Sequence, residues 1–94
     1  MKELQLTDVK QAAIALEGQR LETLHRKARF SLKVQTNGFV FIPEGSGKEL
    51  LQGWKNAQQF LERFNKTNSF SPADYKDMSG VASYVLNVIR SITR

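Results

Sequence analysis

The sequence predicts a small α+β protein in which an antiparallel β-hairpin packs against amphipathic helices, in the element order α-β-β-α-α. Two observations support this class. Two segments of alternating or continuous apolar residues flank an Asn-Gly pair, and three further segments place apolar residues at helical spacing. Because an isolated hairpin is marginally stable in water, the helices are expected to cover it. We expect residues 1–94 to form one globular domain.

The first segment predicts a helix over about residues 8–17, with Thr7 or Asp8 as its N-cap. Its apolar stripe consists of Leu6, Val9, Ala13 and Leu16. Gly18 can supply the left-handed residue that ends this helix. Leu21 and Leu24 nevertheless continue the helical spacing, so the sequence leaves open whether the helix stops or resumes.

The hairpin is predicted from residues 29–34 and 39–43. Phe30, Leu32 and Val34 lie on one face of the first strand, and Asn37-Gly38 suits a type I′ turn. The second strand is apolar on both faces, which indicates that both of its sides meet other structure. If its phenylalanines face away from the helices, they form the apolar centre of a protein interface.

A capping box formed by Ser46 and Glu49 predicts the start of the second helix. Its apolar stripe consists of Leu50, Trp54, Ala57, Leu61 and Phe64. We expect Trp54 to pack on the hairpin at the centre of the core. Gly53 inside the helix suggests a close contact at that point. The helix is expected to end near residues 65–68.

The third helical segment is predicted to begin at Ser71, with Pro72 in its first turn. Its apolar stripe consists of Met78, Val81, Val85, Val88 and Ile92, widened by Leu86 and Ile89. Ser79-Gly80 is expected to interrupt it early. Arg90 and Arg94 lie at its C-terminal end, where cations complement the helix dipole.

Composition argues against several classes of protein. The chain has no cysteine, which excludes disulfides, thiolate metal sites and a cysteine nucleophile. No apolar run approaches the ~20 residues of a membrane span, and the first residues do not resemble a signal peptide. We therefore expect a soluble, cytoplasmic protein that does not bind membranes.

The sequence contains only weak candidates for groups of catalytic or metal-binding residues. We therefore expect that the protein is not an enzyme and binds no cofactor or metal ion. His25 is the single histidine and lies among cations that would lower its pKa. Asp74 and Asp77 lie at a predicted helix start, where acids favour the exposed amides. The segment 45–48 combines glycines and a lysine, but it lacks the spacing of a phosphate-binding loop.

The best functional lead is a concentration of positive charge. The formal net charge is +5, and residues 18–43 contain five Lys or Arg and one acid, Glu22, which gives this stretch +4. Cations attract phosphate groups, and glutamines on the second helix can hydrogen-bond base edges in a major groove. The sequence thus predicts a DNA- or RNA-binding surface formed by Arg20, His25, Arg26, Lys27, Arg29, Lys33, Lys55, Gln59, Arg63 and Lys66.

Two other functions remain open at this stage. The chain could be a small protein-interaction or inhibitor module, with a homodimer formed through the outer face of the hairpin. Alternatively, a pocket between hairpin and helices could hold an apolar small molecule. Phosphate contacts release counterions, so the salt dependence of binding separates the first hypothesis from these two.

Overall fold

The computed structural model describes residues 3–23, 27–45, 47–78 and 80–93 and confirms the predicted α+β class and element order. The described elements are α1 (Leu6–Leu16), β1 (Leu21–Glu22), β2 (Arg29–Gln35), β3 (Gly38–Pro43), β4 (Leu50–Gly53), α2 (Trp54–Thr67), a 3₁₀ helix (Pro72–Tyr75) and α3 (Ala82–Thr93). The strands form one antiparallel sheet in the order β1-β2-β3-β4. Two of these strands, β1 and β4, were not predicted.

Helix α1 begins earlier than predicted, because Gln5 and not Thr7 or Asp8 is its N-cap. Asp8 acts from inside the first turn, where its carboxylate accepts the Gln5 amide hydrogen bond at 2.9 Å. The helix ends at Leu16, and Gly18 adopts a left-handed backbone with φ of +82°. The chain therefore does not resume the helix.

The residues that follow α1 cover the edge of β2. The Gly18 amide donates to the Leu32 carbonyl at 3.3 Å, and the Val34 amide donates to the Glu17 carboxylate at 2.8 Å. Short β1 pairs with β2 through Leu21 opposite Phe30 and Glu22 opposite Arg29. Backbone groups of β2 that would otherwise be open to pairing with another chain are thus engaged within the protein.

The predicted hairpin forms, but its turn differs from the prediction. Gln35 pairs with Gly38, so Thr36 and Asn37 are the two turn residues. A type I′ turn needs positive φ at both central positions. Neither residue is among the described residues with positive φ, and neither is Gly38. The type I′ prediction on Asn37-Gly38 is therefore wrong.

The start of the second helix was also predicted wrongly. Leu50–Gly53 forms edge strand β4 on β3, and α2 begins only at Trp54, with Gly53 as its N-cap. Ser46 lies outside the described residues. The close contact expected at Gly53 is instead at Gly38, where an added Cβ would lie 2.9 Å from the Gly53 Cα.

Trp54 packs on the hairpin as predicted but lies at the margin of the core. Its ring is half-buried, stands edge-on to Phe39 with centroids 4.7 Å apart, and donates its indole N–H to the Thr36 carbonyl at 2.8 Å. The Lys10 ammonium lies over the indole ring, 4.6 Å from the ring centroid. The centre of the core is formed by fully buried rings of Phe30, Phe39, Phe41, Phe60 and Tyr75.

The two faces of β3 have different surroundings. Phe39 and Phe41 face the helices and belong to the core, so they do not form an outer interface. Val40 points to the opposite face and is still buried, between its cross-strand neighbours Lys33 and Leu51. The prediction that both faces meet other structure is confirmed only for the face that carries Phe39 and Phe41. On the other face, side chains of the neighbouring strands flank Val40, which is outside the core cluster.

Helix α2 ends as predicted, with Asn68 as a left-handed C-cap. The segment predicted to open the third helix is instead a 3₁₀ helix with Ser71 as its N-cap. Helix α3 begins at Ala82, and Ser79 lies outside the described residues. Ile92, assigned to the apolar stripe, is 37% exposed. No helix in the described ranges has the length and apolar character needed to cross a membrane.

Candidate nucleic-acid interface

Arg20 lies in the loop between α1 and β1 and is bound to an acid 24 residues away. Its guanidinium donates two hydrogen bonds to the Glu44 carboxylate, at 2.9 and 2.5 Å. The Arg20 hydrogen bond lowers the pKa of Glu44 below its ordinary value, and the same bond raises the pKa of Arg20. Both side chains are largely exposed, so the pair lies at the surface.

Two further predicted residues, Arg29 and Lys33, lie on the outer face of β2 and also have acidic neighbours. Arg29 is 3.9 Å from Glu22 of β1. The Lys33 ammonium is 3.6 Å from Glu49, which precedes β4, so this ion pair crosses the central strand β3. The outer face of the sheet is therefore a surface of mixed charge.

The predicted residues of α2 fall into two groups. Lys55, Gln59 and Lys66 are exposed. Arg63 donates to both carboxylate oxygens of Asp77, at 2.5 and 3.1 Å, and to the Asp74 carbonyl at 3.1 Å. The Arg63 hydrogen bond lowers the pKa of Asp77. Arg63 thus fastens α2 to the chain segment that contains the 3₁₀ helix.

Asp74 and Asp77, the two acids at the predicted start of the third helical segment, are engaged in the same contacts. Asp77 binds Arg63, and Asp74 accepts a hydrogen bond from the Ser69 hydroxyl. Within the described ranges, no three His, Cys, Asp or Glu side chains are grouped where they could hold a metal ion.

Positive charge does converge in a groove of about 680 Å³ between α1, β1 and α3, which we call the basic groove. Three cations line it, namely Arg20, Lys27 and Arg90, and they come from three separate segments of the chain. The other lining residues are Ala12, Ala15, Leu16, Gln19, Leu21, Glu22, Thr23, Asn87 and Ser91. Glu22 is the single acid among these residues.

The turn between β1 and β2 holds Lys27 at the groove. The Thr23 amide donates to the Ala28 carbonyl at 2.9 Å, and the Thr23 hydroxyl accepts from the Ala28 amide at 3.0 Å. The Lys27 amide donates to the Thr23 carbonyl at 3.1 Å. Two predicted site residues between them, His25 and Arg26, lie outside the described residues.

Lys27 has a left-handed backbone, with φ of 53°. This conformation costs a residue with a Cβ about 1 kcal/mol or more, and glycine usually occupies such positions. Backbone strain of this kind is concentrated at functional sites more often than elsewhere. The turn therefore has a lysine at a position where glycine would favour stability.

The opposite wall of the basic groove was missed by sequence analysis. Arg90 had been assigned to the helix dipole, and its guanidinium carbon lies 5.3 Å from the ring centroid of Phe70. Asn87, one turn earlier, donates to the Glu22 carbonyl and so fixes α3 against β1. Asn87 and Glu22 are 65 positions apart in the chain, and no local pattern links α3 to the basic stretch.

The ion pairs formed by Glu44 and Glu49 could have been predicted from the positions of these acids in the sequence. Glu44 and Glu49 follow the basic stretch within a few residues, and a hairpin returns them toward its cations. A charge count extended to the ends of the neighbouring strands would have predicted much of this neutralisation.

None of three comparisons, with protein-family models, with curated proteins and with solved structures, finds a significant match to this chain.

Proposed function

We propose that this protein is a non-catalytic nucleic-acid-binding module that contacts phosphate groups through the basic groove. One observation supports this above the others: Arg20, Lys27 and Arg90 come from three chain segments and line one groove with a single acid. A phosphodiester backbone requires such a concentration of cations, because most contacts between proteins and nucleic acids go to phosphate and sugar.

The ion pair between Arg20 and Glu44 does not prevent this role. Both side chains are exposed, and an exposed ion pair is weak because water screens its charges and two flexible side chains must be ordered to form it. Phosphate binds guanidinium in the same bidentate manner as a carboxylate. A phosphate oxygen can therefore replace Glu44 at a small cost.

The lining of the basic groove favours phosphate contacts over base stacking. Its polar side chains include Gln19, Asn87 and Ser91, which can hydrogen-bond phosphate or sugar oxygens. No aromatic ring is among the lining residues described, whereas proteins that hold single strands present rings on which bases stack. Binding should therefore show little sequence preference, and duplexes should bind at least as tightly as single strands.

Fluorescence anisotropy of labelled DNA and RNA, titrated at several salt concentrations, tests the proposal. The double variant Lys27→Gly/Arg90→Gln should weaken binding by about tenfold, which corresponds to roughly 1.4 kcal/mol. The dependence of log affinity on log salt should become shallower by about two, one for each lost phosphate contact. The matched control Lys55→Gln/Lys66→Gln removes two exposed charges from α2 and should change affinity much less.

The single variant Lys27→Gly separates binding from folding. Because glycine relieves the left-handed strain, this variant should be more stable than the parent by about 1 kcal/mol while it binds nucleic acid more weakly. If Lys55→Gln/Lys66→Gln loses as much affinity as Lys27→Gly/Arg90→Gln, the binding surface lies on α2 and not in the basic groove. Absence of binding by the parent at low salt would refute the proposal altogether.

The outer face of the sheet supports a second candidate function, self-association into a homodimer. This face carries Leu51, which is 53% exposed, on edge strand β4, where it pairs with buried Val40 of β3. Edge strands offer backbone groups to a further strand, and an antiparallel two-fold pairing would place Leu51 opposite its counterpart in a second copy.

Light scattering coupled to size-exclusion chromatography tests the second candidate. The parent is expected to show a dimer mass that Leu51→Lys converts to a monomer mass. Ile14→Lys is a suitable control, because Ile14 is equally exposed but lies on α1. A monomeric parent, or dissociation by both variants alike, would contradict the dimer.

A further inference from the structure

A second groove lies where the N-terminal segment meets the ends of the helices, and it differs from the basic groove in charge. We call it the terminal groove. It encloses about 620 Å³ and is lined by Glu3, Leu4, Asp8, Gln11, Ala12, Phe64, Asn65, Asn68, Ile92 and Thr93. This volume is within the usual range for small-molecule sites. In a chain of net charge +5, the described residues of the lining include two carboxylates and no Lys, Arg or His.

The helix ends around the terminal groove add negative potential. Asn68 caps the C-terminus of α2, and Ile92 and Thr93 belong to the last turn of α3. Each helix C-terminus has a partial negative charge from its free carbonyl groups and stabilises a nearby cation. The N-terminus of α1 contributes the opposite sign, but the Asp8 carboxylate is bound there. The Glu3 carboxylate and these two helix C-termini therefore favour a cation, and neither Lys66 nor Arg90, the basic residues in the last turns of α2 and α3, lines the groove.

The floor of the terminal groove is apolar. Phe64 and Ala12 are buried there, and Ile92 remains 37% exposed. A ligand with an apolar body would remove the exposed part of Ile92 from water, and this burial is favourable in proportion to the area covered.

The wall of the terminal groove is fixed in position. The Asn65 carboxamide accepts from the Leu4 amide at 3.1 Å and donates to the Leu4 carbonyl at 2.9 Å. This double hydrogen bond holds the N-terminal segment against α2 and so keeps Glu3 at the rim. A site whose charged rim is already placed loses less free energy on ordering when a ligand binds.

We propose that the terminal groove binds an amphipathic organic cation, in which an apolar ring or short alkyl chain carries an ammonium group. The ammonium group lies near Glu3, Asp8 and the C-termini of α2 and α3. The apolar body covers Phe64 and Ile92. This site is independent of the proposed nucleic-acid function, because no cation of the basic groove lines it.

Titrations of the ¹⁵N-labelled full chain, followed by NMR, test the proposal with two probes of similar shape and opposite charge. Phenethylammonium is expected to bind at least about tenfold more tightly than 3-phenylpropionate, a difference of roughly 1.4 kcal/mol. Its largest shift changes should fall on the amides of Gln11, Asn65, Asn68 and Ile92. Equal affinity for the two probes, or shift changes centred on other residues, would overturn the proposal.

Two variants identify the groups responsible. Glu3→Gln should weaken phenethylammonium binding by about threefold, the effect of one exposed charge pair, and leave 3-phenylpropionate weak. Glu62→Gln removes an exposed acid from α2 that does not line the groove and should have no effect. Ile92→Trp should block the cavity while the protein remains folded, since position 92 is partly exposed. Undiminished binding by both Glu3→Gln and Ile92→Trp would exclude this site.

Discussion

Tyr75→Ala is expected to lower the free energy of unfolding by about 4 kcal/mol, the largest effect of any single substitution considered for this chain. The Tyr75 ring is fully buried and stacks on Phe60, with centroids 4.1 Å apart. Its hydroxyl donates to the Ser69 carbonyl at 2.7 Å. The residue belongs to a 3₁₀ helix of only four residues, so the ring anchors a segment with little regular structure of its own. Urea unfolding at neutral pH measures the loss.

Tyr75→Phe separates the ring from the hydroxyl. This variant keeps the stack on Phe60 and should cost only about 1 kcal/mol, since the hydrogen bond to the Ser69 carbonyl and a long one of 3.4 Å with the Thr67 hydroxyl are lost. A cost for Tyr75→Phe as large as that for Tyr75→Ala would show that the stacked ring contributes little, contrary to the packing described above.

The free energies of unfolding of the parent and of Tyr75→Phe should depend differently on pH. Burial raises the pKa of Tyr75 above its ordinary value of 10.0. Below that pH, both the folded and the unfolded state hold the proton. As the pH rises through it, the unfolded state loses the proton first, so the stability of the parent falls. Tyr75→Phe lacks this contribution, and its stability should fall less steeply in alkaline solution. Identical slopes would contradict the burial of this hydroxyl.

The fold class could be predicted because the sequence signals that specify it are local. Alternation in β2 and the helical stripes of α1, α2 and α3 are set by neighbouring residues and survive in the folded protein. Strand β4 was missed for the same reason. Leu50 and Trp54 satisfy a helical spacing, and a strand of four residues is too short for alternation to outweigh it. Pairing with apolar β3 decides the conformation, and pairing is a tertiary effect.

The candidate site was predictable only in part. Arg20 and Lys27 belong to the predicted basic stretch and do line the basic groove, because the segments on either side of β1 lie beside it. Arg63 was predicted as a nucleic-acid contact, yet it binds Asp77 from a later segment. Arg90 joins the groove from α3. Charge counted along the chain cannot show which partners the fold will bring together.

The reason for glycine at position 38, next to the hairpin turn, also depends on a distant part of the chain. The sequence pattern predicts a type I′ turn at Asn37-Gly38, in which both residues adopt the left-handed backbone conformation. The structure gives Gly38 a different reason, which is space: a Cβ at this position would overlap the carbonyl oxygen of Gln52 and lie 2.9 Å from its carbonyl carbon. The backbones of β3 and β4 approach too closely here for any side chain.

Gly38→Ala is therefore expected to destabilise the protein by about 3 kcal/mol, at the upper end of the usual cost of overpacking. The overlapping atoms belong to the β4 backbone, which cannot move aside by changing a rotamer. The pairing of Gly38 with Gly53 must open, and α2 begins at the next residue. Chemical denaturation gives the change in free energy, and amide hydrogen exchange should show the lost protection concentrated in β4.

Gly45→Ala is the matched control, because an added Cβ there meets no atom within 4 Å and its φ is not positive. It should change stability by less than about 1 kcal/mol. Gly38→Asn then distinguishes the two explanations for the glycine. Asparagine tolerates the left-handed region, so it would retain most of the stability if backbone conformation were the reason. Because space is the reason, Gly38→Asn should be at least as unstable as Gly38→Ala.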